Sequence, residues 1–194
     1  MLIEKLKNYT ITLGSASPRR KQLLTELGIE FTIKTTKKEE HYPEKLDGVE
    51  IVEFLAKQKA NSISEELLGN YLLITADTIV VQKNKILHKP KDKGEASRIL
   101  KNLSGKSHKV ISGICIKSAE KEVIFSSITE VFFTNLSDEE INFYIERYTP
   151  LDKAGSYGIQ EWIGFIGIKK IIGSYNNVVG LPTAELYQKL KLFI

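Results

Sequence analysis

Residues 11–28, Ile-Thr-Leu-Gly-Ser-Ala-Ser-Pro-Arg-Arg-Lys-Gln-Leu-Leu-Thr-Glu-Leu-Gly, constrain this chain more tightly than any other stretch. Ile11 to Leu13 read as the end of a strand, and Gly14 permits a turn. Ser17 is a good helix N-cap, and Pro18 suits the first helical position, where no amide donor is needed. Leu23, Leu24 and Leu27 recur at helical spacing, and Gly28 suits a left-handed helix end. A strand, a small-residue turn and a helix N-terminus are thereby brought together, with Ser15, Ser17, Arg19 and Arg20 at the junction.

The unpaired amides and positive dipole end of such a helix favour an anion. Two guanidiniums in the first turn are unfavourable beside that dipole unless an anion joins them. Arginine is also the side chain whose fork matches phosphate oxygens in pairs. The residues alone leave two readings open: a phosphate-binding turn, or an ordinary helix with two solvated arginines.

Further along, residues 31–35 alternate as a short strand, and the charged run Lys37-Lys38-Glu39-Glu40 reads as a solvated loop. Residues 50–64 have helical spacing, with Val52, Leu55, Ala56, Lys59 and Ile63 on one face. Lys59 interrupts that apolar stripe, either snorkelling to water or leaning over a cleft as a counter-charge to phosphate. Residues 71–81 read as a largely buried strand holding Asp77 and Thr78 among apolar neighbours. An ionised carboxylate there is costly unless it is paired, holds a metal or faces a wet cleft; a turn-forming Asp bonded to nearby amides is the structural alternative.

Gln82 to Lys85 has hairpin-turn composition, and Pro90 disfavours helix at Lys89. Asp92 with Glu95, and Ser137 with Glu140, resemble capping boxes that open two helices. Ser104-Gly105-Lys106-Ser107 is not a phosphate loop: Leu100 stands where the first glycine belongs, and a helix precedes it. Residues 108–117 and 122–134 read as strands, Phe143 and Tyr144 as core, Asp152-Lys153 as an exposed ion pair, 149–160 as a constrained loop and 165–172 as a strand. Gly173-Ser174 marks a turn, and Pro182 opens a final helix. The Gln160 amide both donates and accepts, which suits the carbonyl and N–H edge of a pyrimidine.

A net charge of +4, with both signs mixed along the chain, suits anionic small molecules and falls short of a nucleic-acid footprint. The lone Cys115, between two isoleucines, reads as a small buried hydrophobe, and three scattered histidines make no metal cluster. No signal-peptide core and no membrane span is expected, which makes the cytoplasm the expected location. Strands and helices alternate without a strict βαβ rhythm, which predicts one α/β domain over residues 1–194 with a mixed, twisted sheet and flanking helices.

The Ser-Ala-Ser-Pro-Arg-Arg run resembles the signature of the Maf family of nucleotide pyrophosphatases. Further pieces follow in the family's order: Glu39-Glu40, Ala56-Lys57-Gln58-Lys59-Ala60, Ala76-Asp77-Thr78, Lys89-Pro90, Leu103-Ser104-Gly105, Leu151-Asp152-Lys153-Ala154-Gly155, Tyr157-Gly158-Ile159-Gln160 and Gly180-Leu181-Pro182. The chain departs from the pattern at Glu161, where the family usually has Gly, and at Thr149, where it usually has Glu.

The resemblance implies two lobes around a deep cleft, as in inosine triphosphate pyrophosphatase, and commonly a homodimer. It implies hydrolysis of a nucleoside triphosphate to the monophosphate and pyrophosphate, with Asp77 as proton acceptor and Mg²⁺ or Mn²⁺ as cofactor. Ser15, Ser17, Arg19, Arg20, Glu40, Lys59, Thr78, Lys89 and Gln160 would bind the substrate. The metal ligands stay open, with Asp77 and Glu40 as candidates. Arg19, Thr78 and Gln160 resemble the subgroup acting on dTTP and UTP, which is thought to remove modified pyrimidine nucleotides. The alternative from another class is a non-catalytic nucleotide-binding regulator of cell division.

Overall fold

The computed structural model describes residues 1–36, 38 and 41–194. Lys37, Glu39 and Glu40, the last a candidate substrate-binding residue, lie outside the described residues. The chain divides into two compact units. The first comprises Met1–Asp77, Ser112–Ser127 and Gly180–Ile194; the second comprises Thr78–Ile111 and Ile128–Val179.

The first unit begins with α1 (Leu2–Leu6), β1 (Thr10–Leu13), α2 (Pro18–Glu26), β2 (Thr32–Ile33) and α3 (Gly48–Ser64). It continues into β3 (Tyr71–Gln82), β5 (Ser107–Lys117) and β6 (Glu122–Phe133), three strands that contribute residues to both units, and ends with α8 (Thr183–Phe193). β1 is parallel to β2 and to β3, with Leu13 opposite Ile74. Ser17 caps α2, Pro18 is its first residue and Gly28 follows it at φ +72°, all as the sequence predicts. The 31–35 strand is shorter than expected, reaching only Thr32–Ile33.

Helix α3 starts two residues before the predicted 50–64, because Asp47 and Glu50 form a reciprocal capping box. Its buried face, including Val52, Ala56, Ala60 and Ile63, lies on the sheet beside Leu73 and Cys115. Small residues set the closeness of that packing. A Cβ on Gly113 of β5 would fall 2.4 Å from the Val52 carbonyl, so helix and strand meet backbone to backbone.

The second unit adds β4 (Lys85–Leu87), α4 (Lys93–Leu103), α5 (Asp138–Tyr148), a 3₁₀ turn at Ala154–Ser156, α6 (Trp162–Gly167), β7 (Ile168–Ile172) and α7 (Tyr175–Val179). The strand order is β2-β1-β3-β5-β6-β7, with β4 antiparallel to β3 and β7 antiparallel to β6, so the sheet is mixed as predicted. Lys83 and Asn84 carry the β3–β4 turn at φ +48° and +61°. Ser137 and Glu140 form the full capping box, whereas Glu95 reaches past the Asp92 cap to the Lys91 amide, at 2.8 Å.

Two expectations for the helices and strands of this unit fail. Residues 165–172 do not form one strand; a helical turn, α6, precedes β7. Gly164 makes that turn possible, since a Cβ there would sit 2.0 Å from the Ile159 carbonyl oxygen. Phe143 is 46% exposed, edge-on to Trp162 at 4.7 Å, while its neighbour Tyr144 is fully buried as core. Consecutive helical residues point about 100° apart, so only one of the two rings faces inward.

The core of the second unit contains a buried polar pair. His108 Nε2 and the Tyr157 hydroxyl lie 2.7 Å apart, both rings packed against Phe133. Among the described residues Nδ1 of His108 has no hydrogen-bond partner, and burial pushes the imidazole down from 6.5 to about 4. An unfolded chain takes this proton near pH 6.5, so stability falls as pH drops from there towards 4. Urea titrations at pH 7 and pH 5.5 should show about 1 kcal/mol lost from this group alone. His108→Leu combined with Tyr157→Phe should flatten that difference.

Candidate active site

The turn after β1 is built as an internally bonded cradle. Ser15, 8% exposed, accepts from the Ser17 amide at 3.2 Å, and Ser17 Oγ accepts from the Arg20 amide at 3.4 Å. Arg20 is not merely solvated. Its Nε donates to the Gly180 carbonyl at 2.9 Å and its Nη1 to Ser15 Oγ at 3.2 Å, so the guanidinium ties the start of α2 to the segment entering α8. Arg19, on the same first turn, is partly exposed. Gly14 is required by close approach: a Cβ there would lie 2.5 Å from the Thr75 methyl and 2.8 Å from Ile63.

Lys59 and Asp77 meet next to that turn. The Gly14 amide donates to the Ile74 carbonyl at 2.8 Å, so the β1 turn leaves its strand three residues before Asp77 on the parallel neighbour. Ligand sites in α/β sheets gather at such carboxyl ends. Lys59 Nζ donates to Asp77 Oδ1 at 2.6 Å, with side chains only 12% and 14% exposed. The lysine therefore neither snorkels nor faces water freely, and Asp77 is the paired carboxylate that the sequence allowed.

What fixes this pair is a bond that sequence reasoning missed. Thr75 Oγ1 donates to the Ala56 carbonyl at 2.6 Å, fully buried. Ala56 is three residues before Lys59, and Thr75 two before Asp77, so one hydroxyl sets the helix that carries the cation against the strand that carries the anion. The signal was a single threonine inside the apolar run Leu72 to Ala76. Buried polar groups in such runs need a partner.

The remaining candidates belong to the second unit: Thr78 is partly exposed on β3, Lys89 is exposed after β4, and Gln160 is exposed in the loop before α6. Lys153 differs from expectation. It is buried, and Nζ pairs with Asp152 at 2.7 Å and with Glu161 at 3.0 Å. The 149–160 loop is constrained as predicted, with Thr149, Gly155 and Ser156 all at positive φ. Cys115 is buried as expected, and burial pushes its thiol up to about 12, which leaves it inert.

A turn rich in serine and arginine thus lies at a helix N-terminus beside a Lys–Asp pair, an arrangement whose dipole and guanidiniums favour an anion. The family model described as Maf-like protein matches residues 10–193, and the chain belongs to this family. A dTTP/UTP pyrophosphatase of Flavobacterium johnsoniae is 48% identical over 194 residues, covering all of both chains. Similar proteins of the same name from Bacteroides fragilis and Phocaeicola vulgatus are 47% and 49% identical over 191 residues, covering 98% of this chain and 99% of theirs. A solved nucleoside-triphosphatase / dITP/XTP pyrophosphatase from Mycobacterium abscessus aligns with 66% of this chain and 75% of its own, at 14% identity and TM-score 0.42, too distant to carry detail across.

Arg20→Lys should separate the structural role of this guanidinium from its charge. An ammonium cannot reproduce the fork that reaches both Gly180 and Ser15, and the predicted loss is about 1–2 kcal/mol in ligand-free unfolding. An unchanged thermal midpoint would show that the tether adds nothing to stability.

Proposed function

We infer that this chain is a nucleoside triphosphate pyrophosphatase that hydrolyses dTTP and UTP, and modified pyrimidine nucleotides, to the monophosphate and pyrophosphate. The largely buried Lys59–Asp77 pair beside the β1 turn is the observation that carries this reading. The full-length likeness to dTTP/UTP pyrophosphatases supports the substrate class.

The polyphosphate is bound by charge and amides. Ser15, Ser17, Arg19 and Arg20 stand at the start of α2, the positive end of the helix dipole, which favours an anion. Glu40 and Lys89 retain their binding roles as proposals. Asp77 accepts the proton of the attacking water, and Lys59 holds the carboxylate in place through Oδ1. Removing the lysine would leave that carboxylate buried and uncompensated, a change that typically costs about 3–5 kcal/mol. Thr78 and Gln160 select the base, the latter through its paired donor and acceptor.

The donor set suits a hard divalent cation only together with the nucleotide. Among the described residues no group of three possible ligands gathers, but Mg²⁺ ordinarily takes one or two carboxylates with phosphate oxygens and water. Asp77 would hold it here, with Glu40 as a second candidate, and bound Mg²⁺ or Mn²⁺ would supply charge neutralisation on the phosphoryl oxygens. No helix among the described residues is long and apolar enough to cross a membrane. We place the enzyme in the cytoplasm, as a homodimer.

A panel of nucleoside triphosphates with Mg²⁺ or Mn²⁺ tests the reading through pyrophosphate release. Release should favour dTTP and UTP, stop on chelation, and fall at least 10²-fold in Asp77→Asn. Undiminished turnover by Asp77→Asn would remove the base assignment, and a purine preference would remove the roles given to Thr78 and Gln160.

A further inference from the structure

In the second unit, one buried hydroxyl closes both ends of the turn that carries Gln160. The Glu161 amide donates to the Gly158 carbonyl at 3.0 Å, which leaves Ile159 and Gln160 as the central residues of a four-residue turn. Ile159 is buried and Gln160 exposed. Tyr144, from the middle of α5, accepts from the Gly158 N–H at 3.0 Å and donates to Oε2 of Glu161. The other carboxylate oxygen of Glu161 meets Lys153 Nζ at 3.0 Å.

The parts of this clamp depend on one another. Burial first, and then Glu161, raises the Tyr144 hydroxyl above its ordinary value, so it remains a donor throughout the physiological range. Lys153 balances the Glu161 charge, which would otherwise be costly in a partly buried position. A Cβ on Gly158 would lie 2.8 Å from the Glu161 carboxyl carbon, so the carboxylate also packs against the backbone it secures. An exposed glutamine has a flexible side chain, and a fixed backbone limits where its amide can reach. Specific sites need such a supporting shell.

The geometry points to Tyr144 and Glu161 as positioning residues that set nucleobase preference by holding the turn that presents Gln160. This rests on the pyrimidine-reading role proposed above for Gln160. Glu161, a departure from the family pattern, thereby gives Tyr144 its second tie and Lys153 its second partner.

The test compares dTTP with dATP, by kcat/KM for pyrophosphate release and by affinity for their α,β-methylene analogues. The set is the parent enzyme, Tyr144→Phe, Glu161→Gln, Gln160→Ala, and Tyr144→Phe combined with Gln160→Ala. Tyr144→Phe and Glu161→Gln should each lower the dTTP-to-dATP ratio about tenfold, through KM with kcat largely kept. In the Gln160→Ala background, Tyr144→Phe should lower it no further. Glu161→Gln keeps the side chain's size, and so carries the test if Tyr144→Phe folds poorly.

A ratio that falls with Gln160→Ala but stays at the parent value in both clamp variants would overturn the inference and leave the role of Gln160 standing. So would equal losses for both nucleotides, or a further fall in the combined variant. A ratio unchanged by Gln160→Ala would defeat the base-reading role, and with it the route from Tyr144 to selectivity. The analogue affinities carry the same comparisons in an enzyme that releases no pyrophosphate.

Discussion

The hydrogen bond from Thr75 to the Ala56 carbonyl is the constraint on which the first unit's chemistry depends. It ties the backbone of α3 directly to a side chain of β3, where the apolar contacts around it resist separation but fix direction poorly. With it, the helix has one register against β3. Gly113 lets the two backbones touch, and Ala56 and Ala60 keep the interface thin. The Lys59–Asp77 pair then forms because its partners are delivered by elements already locked together. Bringing two charges out of water is costly, and preorganisation by the fold is what makes their attraction sufficient.

The β1 turn extends that logic. Its serines and Arg20 bond to one another and to Gly180, so the start of α2 is shaped before any anion arrives. A preshaped cradle spends little ordering entropy when it binds. The second unit uses the same device at a different place, with the Tyr144 hydroxyl in the part that Thr75 plays in the first. In both, a single buried oxygen fixes a backbone segment, and the side chain to which we assign a role lies two or three residues away.

Local signals were legible in the sequence. The Ser17 cap, Pro18, the Ser137–Glu140 box and the hairpin turn at Lys83–Asn84 each follow from chemistry contained within a few residues. The apolar period of α3 placed Lys59 on the buried face, and the apolar surroundings of Asp77 left pairing as one of several ways to offset its charge; that the two are partners required the fold. What stayed hidden depends on contacts distant in the chain. Arg20 reaches Gly180 across 160 residues, and Lys153 is buried because Glu161 returns to it from the far side of a turn. The run at 165–172 misled for a different reason: apolar residues without a clear period fit strand and helix alike, and close backbone approach at Gly164 decided the matter.

The most direct test of this mechanism is a double-mutant cycle on Lys59 and Asp77, read by pyrophosphate release from dTTP. If the lysine acts by holding the carboxylate, Lys59→Met and Asp77→Asn will not have independent effects. The rate of the double variant should lie near that of Asp77→Asn alone. Losses that multiply, or a Lys59→Met enzyme as fast as the parent, would contradict the claim that this pair is the working centre of the site.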